Sequence, residues 1–254
     1  MSYLHAIFLG LIQGITEFLP VSSSAHLQLS KMALGLSEVP LIFDLACHLG
    51  TLLALILFLR EDIRDLFFND HAKLGYLCIA LIPLVPCLLF LAPLRKCAQN
   101  PQFLGLFLMG TGLILFLGQK LRIKTKNHFL RDVLLIGTAQ SAALFPGISR
   151  SGATISCAQC LGWNVKEAVR FSFLLAIPTI LGGNLIEARH LWKTKELSLF
   201  LSPLCLIGFT VSFIVGLFVI RRAMDLLENG KLARFAWYCL MLGLFANLIL
   251  FWPR

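Results

Sequence analysis

The 254-residue sequence predicts an all-α integral membrane protein with six spanning helices and two re-entrant helical hairpins, arranged as an inverted-topology repeat. Three observations predict it. The chain is 58% hydrophobic and only 14% charged, with a mean hydropathy of +0.83, more apolar than the core of a soluble domain of this length requires. Apolar windows long enough to cross roughly 30 Å of hydrocarbon recur six times. Two further apolar stretches each carry a polar insertion that would be costly to desolvate, half a chain apart.

In chain order, the first apolar pair is 3–19 with 22–34, broken by Pro20, which removes a backbone donor and ends a helix. Spanning windows follow at 41–59, 74–93 and 103–118. A second broken pair, 130–144 with 151–161, is interrupted by Pro146 and Gly147, and three more windows follow at 169–187, 198–220 and 234–252. Each broken pair reads as a re-entrant hairpin, over 3–34 and 130–161; two full crossings or a kinked helix are the alternatives. The piece 151–161 would rise only about 17 Å as a helix, which argues against a crossing. Irregular backbone at membrane depth is tolerated where it lines a polar cavity, so both tips are expected to face one. The run 3–19 lacks the basic start and small-residue cleavage site of a signal peptide and is expected to remain in the mature protein.

The two halves align. Gln13 matches Gln140, Pro20 matches Pro146, Ser23 matches Ser149 and Phe43 matches Phe171, at offsets of 126 to 128. The whole chain, 1–254, is then one membrane domain of two repeats, about 1–126 and 127–254. Three spans per repeat is an odd number, so the second copy enters from the opposite side and the two tips meet near the midplane.

Fourteen lysines and arginines fall in loops 60–73, 119–131, 162–170 and 221–234, against seven on the other side. The richer side is expected to be cytoplasmic, which places both termini outside. The net charge of +9 then reflects topology and attraction to anionic lipid. Nucleic acid is not an expected partner, because no soluble basic domain exists to hold a duplex. The eight cysteines are scattered, and the close pair Cys157 and Cys160 lacks a second metal-spaced pair, so core packing is their expected role.

The chemistry concentrates in the insertions. Gln13 and Glu17 share a helix face, as do Ser23 and His26 beyond the Pro20 break. A histidine within reach of a serine is an arrangement that activates a hydroxyl. Serines at a helix start also serve as N-caps, which is the structural reading of Ser22 and Ser24. In the second insertion Gly147, Ser149, Arg150, Ser151 and Thr154 open a new helix. Its backbone N–H groups, hydroxyls and guanidinium fork suit an anionic cluster of oxygens. The alternative reading pairs Arg150 structurally with Glu17 or Asp44, and the two readings are compatible.

At these residues the chain resembles the undecaprenyl-diphosphate phosphatase family, the bacitracin-resistance type of membrane phosphatase, over its whole length. The family's acid-or-Gln, three residues, Glu pattern with a Ser-rich turn and His is matched by Gln13, Glu17, Ser22, Ser23, Ser24 and His26. Its Pro-Gly-x-Ser-Arg-Ser-x-x-Thr motif is matched by Pro146, Gly147, Ser149, Arg150, Ser151 and Thr154. The resemblance implies hydrolysis of undecaprenyl diphosphate to undecaprenyl phosphate and inorganic phosphate. That reaction recycles the lipid carrier of peptidoglycan synthesis in the bacterial inner membrane, with consequences for cell shape and bacitracin resistance. It also implies a divalent cation, Mg²⁺ or Ca²⁺. Gln13 stands where the family can carry an acid, so Glu17 is the one carboxylate of that pair, and Asp44 is a candidate second metal ligand whose other reading is an interfacial charge or cap.

The expected mechanism brings a polyprenyl diphosphate from the outer leaflet to Arg150 and the second tip, with a cation held partly by Glu17. Ser23, deprotonated by His26, attacks the terminal phosphorus; attack by a His26-activated water is the variant. A homodimer is compatible with the sequence. The alternative class is a transporter or flippase for a polyprenyl phosphate lipid, since inverted repeats with broken helices are also transporter architecture. A carrier has no need of the Ser23 and His26 pair. A channel is a poorer reading still, because no ring of like charges or filter sequence is present.

Overall fold

The computed structural model describes residues 1–36, 39–121, 130–193 and 195–251, and the described residues contain helices and no strand. Thirteen α-helices follow in order: α1 Tyr3–Thr16, α2 Ser23–Ala33, α3 Leu41–Phe58, α4 Arg60–Phe68, α5 His71–Leu81, α6 Leu84–Phe90, α7 Ala92–Ala98, α8 Leu104–Lys120, α9 Leu130–Ser141, α10 Arg150–Cys160, α11 Val165–Lys193, α12 Pro203–Glu228 and α13 Leu232–Phe251. Short 3₁₀ turns precede α8 and α12 and follow α9. Arg122, Lys124, Lys126 and Arg254, counted in the charge asymmetry, lie outside the described residues.

Among the described residues, six segments are long and apolar enough to cross a membrane: Leu41–Phe58, His71–Phe90, Pro101–Lys120, Val165–Lys193, Pro203–Glu228 and Leu232–Leu250. They fall on the six windows read from the sequence, with shifted ends. The fifth begins at residue 203 rather than 198 because Ser202 accepts from the Cys205 N–H and Pro203 takes the first helical position, where its missing donor costs nothing. Helices α11 and α12 overrun their windows because a helix continues through charged residues such as Arg189 and Arg222 once it reaches the headgroups. The second span is interrupted at Ile82 and Pro83, so it is built from α5 and α6 in succession.

The two polar insertions break their helices where expected. α1 has 14 residues, α9 has 12, and α2 and α10 have 11 each, all too short for a crossing at about 1.5 Å per residue. Around Pro20 the chain turns so sharply that Ser22 takes a positive φ of 67°, a conformation costing a non-glycine residue about 1–3 kcal/mol. At the second break Gly147 has φ of 109°, and a Cβ there would lie 2.6 Å from the Cβ of Phe107, so only glycine fits.

Lipid is as apolar as leucine, so helices in a bilayer associate through close packing and hydrogen bonds rather than through apolar burial. The interfaces are built accordingly. α12 lies along α3 and against α1, α13 lies along α8, and α10 packs among α8, α9 and α11. Gly10 and Gly14 face Val211 and Val215, Gly50 faces Ser212, and Gly105 and Gly112 face Gly243, Ala236 and Leu240. Ser212 adds an interhelical hydrogen bond, donating to the Cys47 carbonyl at 2.9 Å. Large side chains such as Leu4, Phe90, Phe218 and Met241 point outward, as lipid-facing residues do.

Two glycines of α8 test this. A Cβ at Gly112 would meet Leu240 Cγ at 2.7 Å and the Ala236 carbonyl at 2.8 Å, whereas nothing lies within 4 Å of one at Gly110. Gly112→Ala is therefore expected to destabilise by about 1–3 kcal/mol through overpacking. Gly110→Ala should be neutral or stabilising by up to about 1 kcal/mol through helix propensity. Thermal unfolding of both variants in detergent checks the contrast, and equal midpoints would refute the close α8–α13 contact.

Candidate active site

The breaks bring the C-terminal end of α1 and the N-terminal ends of α2 and α10 to one place. Glu17 stands at its centre, only 8% exposed. One turn earlier on the same helix face, Gln13 donates its Nε2 to Glu17 Oε2 at 2.9 Å. After the turn, the Ser23 hydroxyl donates to the same oxygen at 2.6 Å. The other oxygen, Oε1, receives Arg150 Nη2 at 3.3 Å, so one buried carboxylate joins residues 133 positions apart. His48 of α3 completes the surround, its Nε2 3.9 Å from Glu17 Oε2 while its Nδ1 bonds the Asp44 carbonyl at 2.8 Å.

The second tip is held from three sides. Thr111 of α8 donates to the Gly147 carbonyl at 2.8 Å and accepts the Ser149 N–H at 2.9 Å. Ser149 caps α10, its Oγ accepting the Gly152 N–H at 3.1 Å. Two of the amides expected to cradle an anion are therefore engaged within the protein. Thr154 also turns inward, bonding Ser172 Oγ at 2.6 Å and the Arg150 carbonyl at 3.0 Å, which ties α10 to α11. Ser151 donates to the Leu19 carbonyl at 3.3 Å and so joins the two tips directly. Arg150 Nη1 reaches the Ala176 carbonyl at 3.4 Å, in the turn of α11 that Pro178 interrupts.

These groups border a cavity of about 230 Å³. Of the residues singled out in the sequence, Glu17, Ser22, Ser23, Ser24, Ser149, Arg150 and Ser151 line it. Gln13, Gly147 and Thr154 stand behind that wall as supports. Two others sit differently from expectation. His26 faces away from Ser23: its Nδ1 bonds the Ser22 carbonyl and its Nε2 the Tyr238 hydroxyl, both at 2.8 Å, and its ring stacks on Tyr238. A carbonyl only accepts, so Nδ1 carries the proton and Nε2 accepts from tyrosine. Positions three apart share a helix face, but Ser23 opens α2 and its hydroxyl follows the turn toward Glu17 instead. Asp44 is clamped by Lys31, whose Nζ lies 2.7 and 2.6 Å from its two oxygens, so it does not join Glu17.

The cavity wall also includes His48, Thr179, Asn184 and Glu187, which the sequence reading passed over. Their being ionisable residues inside apolar windows is the signal by which His48 and Glu187 could have been found, but nothing local points to Thr111 or Asn184. A second cavity lies at the opposite ends of α3, α11 and α12, where Arg170 Nε pairs with Asp62 at 2.7 Å among charges of both signs.

Chemically, the first cavity places a hydroxyl on a carboxylate, with a guanidinium 3.3 Å from that carboxylate's other oxygen. A base positioned within hydrogen-bond reach of a hydroxyl is the requirement for an activated nucleophile. A fixed guanidinium fork suits phosphate oxygens. Comparison with known proteins agrees with that chemistry. Residues 6–245 match the family described as bacitracin resistance protein BacA. The chain is 40% identical to the undecaprenyl-diphosphatase of Protochlamydia amoebophila over 98% of both chains. It is 39% identical to that of Geobacter metallireducens over 99% of this chain and 98% of the relative, and 33% identical to that of Methanobrevibacter smithii over 96% of both. Matched almost end to end by the family and by these relatives, the chain belongs to the BacA family of membrane proteins.

Proposed function

We propose that the protein hydrolyses undecaprenyl diphosphate to undecaprenyl phosphate and inorganic phosphate, returning the lipid carrier to cell-wall synthesis. The observation that carries the mechanism is the Ser23 hydroxyl 2.6 Å from Glu17, with Arg150 on the carboxylate's other oxygen. Ser23 Oγ attacks the terminal phosphorus as Glu17 takes its proton. The bond from that phosphorus to the bridging oxygen breaks, and undecaprenyl phosphate leaves. Glu17 passes its proton to the departing phosphate and is free to take one from the attacking water, which it gives to Ser23 Oγ as the phosphoserine bond breaks, releasing phosphate and restoring the hydroxyl. Arg150 turns from Glu17 toward the phosphoryl oxygens as charge develops on them, the positioning and charge stabilisation on which phosphoryl transfer depends. His26 fixes the turn: it holds the Ser22 carbonyl and docks α2 on α13 through Tyr238.

A divalent cation, Mg²⁺ or Ca²⁺, belongs to the same reading. Gln13 Oε1 is buried without a donor beside Glu17, and a hard cation prefers such oxygens. No group of three histidine, cysteine, aspartate or glutamate side chains that could hold a metal occurs among the described residues, and Asp44 is taken by Lys31. Glu17 and Gln13 would hold the cation together with the substrate's own phosphate oxygens. When bound, it supplies neutralisation of the diphosphate.

The two broken pairs would be re-entrant hairpins related by an inverted repeat, each half one copy of a single membrane domain. Both termini would lie outside and the cavity would open toward the outer face, where the polyprenyl tail remains in lipid. A flippase reading is less favoured, since moving a lipid phosphate needs no hydroxyl on a carboxylate.

Purified protein in detergent is expected to release phosphate from a prenyl diphosphate and to lose that activity on chelation. Arg150→Lys keeps the charge but loses the bidentate fork, so the rate should fall by at least ~10²-fold, the scale of one transition-state donor. No phosphate release by the wild type would overturn the hydrolase reading.

The roles of Ser23, Glu17 and His26 separate in a variant series. If Ser23 and Glu17 act as one unit, Ser23→Ala, Glu17→Gln and the double variant should lose turnover to a similar extent, because such residues are strongly non-additive. His26→Gln should cost less than either and be matched in direction by Tyr238→Phe. Substantial phosphate release by folded Ser23→Ala would refute the covalent route.

For orientation, single cysteines at Ala72 and Lys193, both exposed, are placed in a background without reactive native thiols. Lys193→Cys should react with an impermeant thiol reagent in intact cells, and Ala72→Cys only after lysis. The reverse pattern would invert the topology.

A further inference from the structure

Asn184 of α11 lines the cavity, yet the residue is only 7% exposed and its Nδ2 has no acceptor. Buried polar groups are nearly always hydrogen-bonded, and an exception in a cavity wall calls for a partner that arrives from outside the fold. Two further observations locate that partner. Asn184 is eight residues along α11 from Ala176, whose carbonyl holds Arg150 Nη1, a rise of about 12 Å at 1.5 Å per residue. A phosphoryl group held by Arg150 and Ser23 therefore sits on the Ala176 side of the cavity, and a second one in series lies on the side of the wall that Asn184 lines. Next to Asn184, Gly183 also lines the cavity, and a Cβ there would meet nothing within 4 Å, so space is left for such a group.

We infer that Asn184 is the donor for the second, lipid-linked phosphoryl group of a diphosphate, and that it makes the cavity selective for diphosphates over monophosphates. Arg150 and Ser23 engage the phosphoryl group that is transferred, and Asn184 engages the one that leaves. The product phosphate at the Arg150 end makes no use of Asn184. The inference rests on the hydrolase reading of the same cavity, but it concerns ground-state recognition and is tested without turnover. A site built to hydrogen-bond one group discriminates against ligands lacking it, because its own polar atom is then left unpaired.

The test uses the purified full-length protein in detergent, with inorganic pyrophosphate and inorganic phosphate as probes and calorimetric titration as the readout. The wild type is expected to bind pyrophosphate more tightly than phosphate. Asn184→Leu, close in size and apolar, should weaken pyrophosphate by about 10- to 100-fold, the range for one hydrogen bond to a charged group, and leave phosphate within about threefold. Asn184→Ser, smaller and polar, guards against misfolding of the leucine variant and should show the same split. If both variants keep the wild-type preference, or lose both ligands equally, the inference is overturned. An unchanged preference with a raised thermal midpoint in Asn184→Leu would also overturn it, marking the unpaired amide as a packing defect. Phosphate release by the wild type is measured separately, so a protein that binds with this selectivity but does not hydrolyse would sink the enzyme reading alone.

Discussion

The structure depends on one buried carboxylate. Glu17 accepts hydrogen bonds from Gln13 and Ser23 on one oxygen and from Arg150 on the other, within a chain whose long spanning segments are mostly apolar. An isolated carboxylate there would be too costly to ionise, and an isolated guanidinium would be no cheaper. Each makes the other tolerable, so the first tip cannot be ordered without the second. Removing one partner of such a buried pair costs about 3–5 kcal/mol, because the remaining charge is left uncompensated. The same two groups hold the fold together and, on the proposed reading, would serve the chemistry once phosphate oxygens replace the carboxylate as the guanidinium's partner.

This dual role accounts for the broken helices. Continuous helices would satisfy their backbones internally and present only side chains to the centre of the membrane. By stopping α1 at Thr16 and restarting at Ser23, the chain places a hydroxyl, a carboxylate and a strained serine turn in the same few ångströms. The freed backbone groups find partners close by: Ser151 bonds the Leu19 carbonyl, and Thr111 bonds both Gly147 and Ser149. Irregular backbone in a membrane protein is tolerated where it is buried in protein or borders a cavity.

Much of this was legible in the sequence, and the limits have physical causes. The six spans were, since hydropathy over twenty residues is a bulk property that needs no partner. The positions of the breaks were as well, because Pro20, Pro146 and Gly147 act on local backbone. Gln13 with Glu17 was read correctly as an i, i+4 pair on a regular helix. The same spacing argument failed for Ser23 and His26, because Ser23 begins its helix and its hydroxyl follows the turn, while His26 finds the ring of Tyr238, 212 residues away. Asp44 was read as a candidate ligand for the same reason: nothing local announced that Lys31 would clamp it. Thr111 and Asn184 were invisible, since a lone polar residue in an apolar helix shows its purpose only when the neighbouring helix is placed.

What remains is how a site with so few polar groups handles so much charge. A diphosphate brings several negative charges, and the cavity wall offers one arginine, one histidine, the Asn184 amide and hydroxyls, with two carboxylates, Glu17 and Glu187, among them. Arg150 alone does not balance that charge, and Glu17 opposes it. On the proposed reading, the balance would come partly from a cation carried in with the substrate and partly from neutral donors. Ser22, Ser24, Ser149 and Ser151 would be such donors: they bond one another, Ser22 to Ser24 at 3.2 Å and Ser149 to Ser151 at 3.3 Å, and Ser151 also bonds a backbone oxygen. A hydroxyl rotates to a new acceptor without being brought from water, so these pairs are donors held in reserve at little cost. The serine-rich sequence of both tips is then explained by one requirement, a surface that is electrically quiet in a membrane until an anion arrives.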